Sequence, residues 1–520
     1  MPPSATTSHS RFPESQPEVA NTAHWLALLL VLAAAIAVRL ACLDCKPFWF
    51  DECFSVGVAR LDWPNFIHLL WWREANMSLY YVLLRLWLHF GQSPFFIRSM
   101  SAAASAATIL AIHWLAQLLF NRRVAIIAAT LLTFNAYDLR YAQEARSYAL
   151  FVLLATLSSG FLVASLRKPE RIYRVGFVVA SICAMYAHFY AMLLLAAQAI
   201  ALWGLVKYGL EQPSLTSGQQ HSLPWRRGFG IIAVAALPLL IFVAKTGAGP
   251  IRWITRPDLR DMLEFFEHLS GASWPLLVIF VVACLAAVVP VGNALWARDQ
   301  NWDAWRYRFL LIWAFFPVVL TYGLSFARPV FFPRYLIFCL PALVILAAAG
   351  LARLRNSWLL AASLTLVLLL ALRGDFFVYA HDFDDERDAA GAATNFIVDH
   401  AQPGDGLILH GAATRVAYEF FLSQRTASGA NTLAASAGPA ILFPHNGTEL
   451  NYRDFTGKPT ADLLRAVAPN HPRVWVMLMN NAPRGIPDAT TVLLTPVLSE
   501  TFSREQRWQF PKVEVRLYSK

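Results

Sequence analysis

Two adjacent carboxylates, Asp51 and Glu52, stand directly after the first long apolar run of this 520-residue sequence. Acidic side chains at the edge of such a run are costly unless they are solvated or used in chemistry. A positioned carboxylate can take a proton from a hydroxyl group in the transition state of a transfer reaction. The competing interpretation is a pair of interfacial acids that cap the next helix, so a functional role depends on which other residues share their face.

A dense polar cluster at residues 135–148 separates two later apolar runs and contains Arg140 and Arg146. Arginine is a permanent cation whose planar fork of N–H groups suits phosphate oxygens. Two such cations could neutralise the charge that develops on a leaving phosphate. Asp138 and Glu144 lie in the same cluster, so a structural network of ion pairs is the alternative.

Two further polar groups interrupt apolar runs. His188 and Tyr190 stand between two of the runs, and a single histidine in such a place is more often a satisfied structural residue than a ligand. Arg328, Arg334 and Tyr335 belong to a tight turn that contains two prolines. Snorkelling of these arginines to lipid headgroups is the alternative to phosphate binding. Whether either group meets Asp51 depends on the topology of the chain.

The composition indicates a membrane protein. Hydrophobic residues make up 57% of the chain and charged residues 15%, whereas soluble domains usually carry about 25% charged residues. The net charge of +10 could suggest nucleic-acid binding, but many of the arginines lie in short loops between apolar runs, where they orient a membrane protein. The sequence therefore predicts a polytopic α-helical membrane protein with no nucleic-acid partner.

Eleven segments are long enough to cross a hydrocarbon core of about 30 Å, which takes roughly 20 apolar residues. These segments are 24–43, 97–120, 124–139, 147–166, 173–189, 190–207, 229–245, 274–296, 309–327, 335–352 and 357–373. The run from Met77 to Phe90 is shorter and carries Arg85 in its middle, so we expect it to lie along the interface.

Loop charges set the expected orientation. With a cytoplasmic N-terminus and eleven crossings, most loop arginines lie inside, in agreement with the positive-inside tendency. The cytoplasmic basic residues would be Arg122, Arg123, Arg167, Lys168, Arg171, Arg174, Lys207, Arg226, Arg227, Arg298, Arg306, Arg308, Arg353 and Arg355. Asp51, the 135–148 cluster, His188 and the turn at Arg334 then share the outer face, as does the chain after Arg373.

Three domains are expected from the change in composition along the chain. Residues 1–22 are polar and predicted to be a disordered tail, residues 23–375 form the transmembrane domain, and residues 376–520 form a soluble α/β domain. In this last domain the pattern predicts one helix and three strands. They are the helix Ala389–His400 and the strands Gly406–His410, Arg473–Met479 and Val513–Tyr518.

Three of the six cysteines, Cys42, Cys45 and Cys53, lie near the end of the first apolar run. In an oxidising compartment Cys45 and Cys53 could form a disulfide. Unpaired thiols are the interpretation that the sequence favours.

The sequence resembles the GT-C-type membrane glycosyltransferases related to protein O-mannosyltransferases and the lipid A aminoarabinose transferase. Three motifs carry the resemblance, of which the paired acids are the most specific: Phe48-Trp-Phe-Asp51-Glu52-Cys-Phe-Ser55, Tyr141-Ala-Gln143-Glu144-Ala-Arg146-Ser-Tyr148, and Arg334-Tyr335 before an apolar helix. The resemblance covers about residues 24–375. It implies a GT-C fold and transfer of a sugar from a polyprenyl-phosphate donor with inversion of the anomeric centre.

The resemblance also implies roles for single residues. Asp51 would be the catalytic base, and Glu52 would help to hold the acceptor. The remaining roles are donor-phosphate binding by Arg140, Arg146 and Arg334, and support by Tyr141, Glu144, His188 and Tyr335. The resemblance gives no function to the soluble domain.

No cofactor is expected to be required. Asp51, Glu52 and Glu144 could form a ligand set for a divalent metal, but the number of arginines favours neutralisation by cationic side chains. The expected partners are a polyprenyl-phosphate-sugar donor, a lipid, glycan or protein acceptor, and membrane lipids. The expected setting is a bacterial inner membrane, with the soluble domain in the periplasm.

Two other functions compete with a transferase. A transporter or flippase for lipid-linked sugars would also use outer arginines, although it usually places polar groups near the bilayer midplane and often shows internal repeats. A non-catalytic membrane assembly subunit would leave the clustering of Asp51, Glu52 and the arginines unexplained.

Overall fold

The computed structural model describes residues 22–168, 170–207, 224–247, 254–292, 295, 302–380, 389–411, 413–427, 438–445, 450–457, 459–479 and 489–520. The predicted disordered tail therefore lies outside the described residues, apart from its last position. Within the described part, eight helices are long and apolar enough to cross a membrane. They are Thr22–Leu40, Pro94–Leu119, Tyr148–Arg167, Arg227–Thr246, Trp274–Val291, Trp302–Ser325, Pro333–Leu351 and Ser357–Ala380. The chain is a multi-pass membrane protein.

The membrane domain contains sixteen α-helices within its described residues. They are α1 (Thr22–Leu40), α2 (Phe50–Arg60), α3 (Trp63–Leu69), α4 (Ser78–Trp87), α5 (Pro94–Leu119), α6 (Arg122–Thr133), α7 (Ala136–Ala142), α8 (Tyr148–Arg167), α9 (Arg171–Ala187), α10 (Ala191–Lys207), α11 (Pro224–Thr246), α12 (Leu259–Ser270), α13 (Trp274–Val288), α14 (Trp302–Ser325), α15 (Leu340–Leu351) and α16 (Ser357–Ala380). A π-helix (Leu70–Glu74) and three 3₁₀-helices (Ala75–Met77, Val289–Val291 and Pro333–Cys339) complete this part.

Eight of the eleven predicted segments correspond to these long apolar helices. The other three correspond to α6, α9 and α10, which have 12, 17 and 17 residues. The single helix predicted over 124–139 is wrong, because α6 ends at Thr133 and the side chain of Asn135 caps the separate helix α7. The number of crossings beyond eight stays a prediction.

The run from Met77 to Phe90 contains α4, a helix of 10 residues. At 1.5 Å per residue it is about 15 Å long, half the thickness of a hydrocarbon core. It packs against α2 and α9, and Arg85 donates hydrogen bonds to the carbonyl groups of Ala59 and Leu61. Its length rules out a crossing by this helix alone.

The soluble part contains a five-stranded sheet in the order β2-β1-β3-β5-β4. Its strands are β1 (Gly406–His410), β2 (Ala440–Phe443), β3 (Arg473–Met479), β4 (Arg504–Phe510) and β5 (Val513–Ser519), and its helices are α17 (Ala390–His400), α18 (Thr414–Ala427), α19 (Arg453–Thr456), α20 (Ala461–Val467) and α21 (Ala489–Ser499). The predicted helix and three strands are confirmed. Strands β1, β2 and β3 are parallel, and β5 pairs antiparallel with β3 and β4.

The soluble sheet is connected to the membrane helices through α16 and packs on α2 through α18. Phe48 stacks on Phe420 at a centroid distance of 4.8 Å, and Phe54 contacts Phe455 edge-on at 5.1 Å. The predicted domain boundary at residue 375 falls within α16, which continues to Ala380.

The disulfide near the end of α1 joins Cys42 to Cys45. The pairing of Cys45 with Cys53 is therefore wrong. The favoured interpretation of unpaired thiols is wrong for Cys42 and Cys45, whereas Cys53 forms no disulfide. The physical reason is local: a chain reversal after α1 brings Cys42 and Cys45 together, with their Cα atoms 4.9 Å apart, whereas Cys53 is buried in α2.

Candidate active site

Asp51 and Glu52 occupy the first turn of α2, where the helix dipole favours negative charge. Consecutive residues of an α-helix point about 100° apart, so the two carboxylates have different surroundings. The Asp51 side chain is 27% exposed, and that of Glu52 is 0% exposed. Only Asp51 is open to an incoming molecule.

Two arginines from distant segments face the Asp51 carboxylate. Its Oδ2 atom lies 3.6 Å from a guanidinium nitrogen of Arg146 and 3.7 Å from one of Arg334. Both distances exceed the roughly 2.7–2.9 Å of a charge-assisted hydrogen bond, so the two contacts are electrostatic. Arg146 also donates hydrogen bonds to the Asp51 carbonyl at 3.3 Å and to Ser55 Oγ at 3.2 Å, which fixes it against α2.

The guanidinium of Arg334 is held by aromatic rings. It lies 5.5 Å from the ring centre of Trp49 and 4.8 Å from that of Phe332, within the range of cation–π attraction. Arg334 is buried, whereas Arg328 in the same turn is exposed. The turn therefore brings one of its two arginines to Asp51 and leaves the other at the surface.

Glu52 is engaged by Arg98 of α5, which donates to both of its carboxylate oxygens at 2.7 and 2.6 Å. The backbone N–H of Ala145 donates to the same carboxylate at 2.9 Å. A fully buried carboxylate with these partners has no surface to offer an acceptor. The acceptor-holding role predicted for Glu52 does not fit this geometry, and a structural role does.

Arg140 lies beside its sequence neighbours in a buried pair. Its Nε atom is 3.4 Å from Glu144, and its guanidinium is 5.4 Å from the ring centre of Tyr141. The charges of Arg140 and Arg334 both act on the buried Tyr141 side chain. Asp138 pairs with Arg39 of α1 at 2.7 Å instead.

His188 lies in a buried aromatic group beside the arginines. Its ring centre is 4.9 Å from Tyr335, 5.1 Å from Phe151 and 5.4 Å from Tyr190. The Tyr190 N–H donates to His188 Nδ1 at 3.2 Å, which assigns the ring proton of a neutral imidazole to Nε2. Tyr335 follows Arg334 in the chain, so this aromatic group adjoins the arginine that faces Asp51.

The fold is similar to that of ArnT from Cupriavidus metallidurans. The apo structure of ArnT matches with a TM-score of 0.60 and 14% identity, over 96% of this chain and 98% of ArnT. The structure of the same protein bound to undecaprenyl phosphate matches with a TM-score of 0.58 and 12% identity, over the same shares of the two chains. This chain has an ArnT-like GT-C fold. No protein-family model and no curated protein sequence matches it.

Within this ArnT-like fold, three charged residues near the site were not identified from the sequence, namely Glu74, Arg98 and Arg39. Glu74 ends the π-helix and accepts a hydrogen bond from Tyr81 at 3.3 Å. Burial raises the pKa of Glu74 above its usual range, against the opposing fields of Arg73 and Arg146. Arg98 and Arg39 sit inside apolar helices, and an arginine buried in such a run is itself a sequence signal for a paired acid.

The described residues hold no group of three His, Cys, Asp or Glu side chains close enough to bind a metal ion. Two of the three carboxylates considered from the sequence are already engaged, Glu52 by Arg98 and Glu144 by Arg140. The residues present do not fit a divalent metal. That no cofactor is required stays a prediction.

Proposed function

We propose that this protein is an inverting glycosyltransferase that moves a sugar from a polyprenyl-phosphate donor to an acceptor hydroxyl at the periplasmic face of a bacterial inner membrane. The observation that carries the proposal is the partly exposed Asp51 carboxylate facing Arg146 and Arg334 in a GT-C fold. The ArnT structure with undecaprenyl phosphate supports the class of donor. The resemblance of the Asp51-Glu52 motif supports the class of reaction.

Asp51 acts as the general base in this proposal. As the acceptor oxygen forms its bond to the anomeric carbon, the hydroxyl proton passes to an Asp51 carboxylate oxygen. The bond from the anomeric carbon to the phosphate oxygen breaks at the same time, and its electron pair leaves with the phosphate. A single displacement of this kind inverts the anomeric centre.

Arg146 and Arg334 stabilise the leaving group. The phosphate gains negative charge as it departs, and two fixed cations in a partly buried site stabilise that charge in the transition state. Arg140, the buried cation that pairs with Glu144, adds a third positive charge in this proposal. Tyr141, His188 and Tyr335 keep these cations in place and exclude water from their apolar side.

The proposal is tested with purified protein in liposomes that contain an undecaprenyl-phosphate-linked, radiolabelled sugar, with membrane extract as the source of acceptor. A panel of sugars is used, since the pocket decides which one is accepted. The expected result is label on the acceptor and an equal amount of undecaprenyl phosphate. Intact lipid-linked sugar that appears in the opposite leaflet, with no label on an acceptor, would contradict a transferase and identify a flippase.

A further inference from the structure

Arg98 is a buried arginine whose five N–H groups all have acceptors. Two of them bind the Glu52 carboxylate. The other three donate to the backbone carbonyl groups of Leu43 at 2.9 Å, Lys46 at 2.8 Å and Pro47 at 3.2 Å. A guanidinium surrounded in this way has one allowed position, because any shift would leave a buried donor without an acceptor.

Leu43 lies inside the turn that the Cys42–Cys45 disulfide closes, and Lys46 and Pro47 follow that turn directly in the chain. Both cysteines are exposed, so a dissolved thiol can reach the bond. Opening the disulfide removes the covalent restraint on the turn that carries Leu43 and that leads into Lys46 and Pro47. The disulfide therefore restrains the acceptors of a buried cation.

Glu52 connects Arg98 and the restrained turn to the candidate active site. It adjoins Asp51 in the chain, and its carboxylate accepts a hydrogen bond from the Ala145 N–H, which adjoins Arg146. One buried carboxylate thus fixes the backbone next to both partners of the contact between Asp51 and Arg146. Loss of its partner Arg98 from the observed position would move that contact.

We propose that the Cys42–Cys45 turn and Arg98 act through Glu52 as positioning residues for Asp51, and that reduction of the disulfide slows transfer. The proposal rests on the function proposed above. In the chemical step a dithiol gives two electrons and two protons to the disulfide, the sulfur–sulfur bond breaks to two thiols, and the dithiol is oxidised to its cyclic disulfide. A thiol oxidant reverses the step, as in the oxidising compartments where disulfides persist.

The test compares the double variant Cys42→Ser/Cys45→Ser with wild-type protein, each with and without dithiothreitol. The matched control is Cys183→Ser/Cys284→Ser, which removes two cysteines of the membrane domain that lie outside the disulfide. Initial rates give kcat and the KM for the donor. Hydrogen exchange of the amides of residues 43–54, measured without substrate, reports the order of the turn and of the start of α2.

The expected result is a kcat reduced by about tenfold to a hundredfold in Cys42→Ser/Cys45→Ser, since a misplacement of about 1 Å can cost ~100-fold. The donor KM and the unfolding temperature stay close to the wild-type values, and exchange of residues 43–54 becomes faster. Dithiothreitol produces the same loss in the wild type and in the control variant, and no further loss in Cys42→Ser/Cys45→Ser.

Wild-type kcat in Cys42→Ser/Cys45→Ser, or a loss of kcat that appears equally in the control variant, would overturn the proposal. Absence of transfer by the wild-type protein would instead contradict the proposed function. In that case exchange of residues 43–54 decides the inference, and unchanged exchange upon reduction overturns it.

Discussion

Two adjacent acids, Asp51 and Glu52, differ in their surroundings because of residues far away in the chain. Glu52 is fixed by Arg98, 46 positions away, and Asp51 faces Arg146 and Arg334. The sequence predicts that an acidic pair and several arginines share one face. It does not predict which acid is buried, because that depends on where α2 begins and on a buried arginine of another helix.

At the residue scale, replacing Arg334 tests most directly whether a cation of the site binds the donor. Replacing it with glutamine, Arg334→Gln, should raise the donor KM by about tenfold to a hundredfold, because a hydrogen bond to a charged group contributes about 1.5–3 kcal/mol. The measurement is the initial transfer rate as a function of donor concentration. Arg328→Gln is the matched control, since Arg328 is an exposed arginine of the same turn. Equal KM values in the two variants would remove Arg334 from the donor site.

Asp405 of the soluble domain provides a test that depends on pH. Burial alone would raise its pKa, but hydrogen bonds from Arg473, from the Gln402 N–H and from Trp475 outweigh burial and hold the pKa below its usual range. A lowered pKa in the folded state stabilises the protein above the unfolded value of about 3.9, and this stability is lost as the pH falls through the folded value.

We therefore expect Asp405→Asn to destabilise the soluble domain by about 1–3 kcal/mol at pH 7, and by progressively less below about pH 4. Unfolding is followed by tryptophan fluorescence across this range, with Asp462→Asn as the control, because the Asp462 side chain is 99% exposed. A destabilisation that does not change with pH would show that the charge of Asp405 is not its cause.

At the scale of elements, α2 is packed on both sides. Its site face carries Asp51, and its other face meets α18 of the soluble domain. Gly57 lies at this contact, where an added Cβ atom would come within 2.1 Å of Val416 Cγ1. The soluble domain therefore rests directly on the helix that carries the proposed base, at a position where only glycine fits.

Gly57→Ala should destabilise the protein by about 1–3 kcal/mol through overpacking. Adding Val416→Ala should recover part of this loss, because the two sites are in contact and their effects are not additive. Gly323→Ala is the matched control: Gly323 also lies inside a helix, and nothing lies within 4 Å of its added Cβ atom. Unfolding temperatures check the prediction, and equal changes in Gly57→Ala and Gly323→Ala would contradict it.

The elements differ in how well the sequence predicts them. Long apolar runs such as 97–120 are recognised by length, and β1 and β3 by their buried apolar residues. Strands β2 and β4 were missed, since β2 has four residues and β4 is a mostly exposed, charged edge strand. Such strands are defined by the neighbour with which they pair, and a local pattern does not contain that neighbour.

At the scale of the whole molecule, charged loops from distant parts of the chain meet at two places. Asp51, Arg146 and Arg334 meet in the site, whereas Arg306 donates to the carbonyl group of Leu119 and lies in the field of Arg167. The sequence assigns the first group to the outer face and the second to the inner face. In each of these two groups the residues are ones that the sequence assigns to the same face.

The orientation itself is tested by cysteine labelling in right-side-out spheroplasts. Asp462→Cys in the soluble domain should react with a membrane-impermeant maleimide from outside, and Lys168→Cys should react only after permeabilisation, since excess loop arginine and lysine stay cytoplasmic. The wild-type protein gives the background labelling. Labelling of Lys168→Cys in intact spheroplasts would show that the topology is the reverse of the predicted one.

A helical membrane domain followed by an α/β domain was predictable, because hydrophobic length and residue composition vary strongly along the chain. The GT-C type of fold was implied only by the resemblance of motifs such as Asp51-Glu52. The packing of α18 on α2 was not predictable, because the local sequence pattern of a helix does not indicate which helix it packs against. The same limit applies to Glu74, which accepts a hydrogen bond from Tyr81 of α4.

The measurement that tests the central claim most directly compares sugar transfer and undecaprenyl-phosphate binding in wild-type protein and Asp51→Asn. Asp303→Asn, the same change at an exposed residue far from the site, is the control. We expect Asp51→Asn to bind the lipid as the wild type does and to lose about 100- to 10,000-fold in kcat, the usual range for loss of a general base. Wild-type turnover by Asp51→Asn would contradict the assignment of Asp51 as the catalytic base.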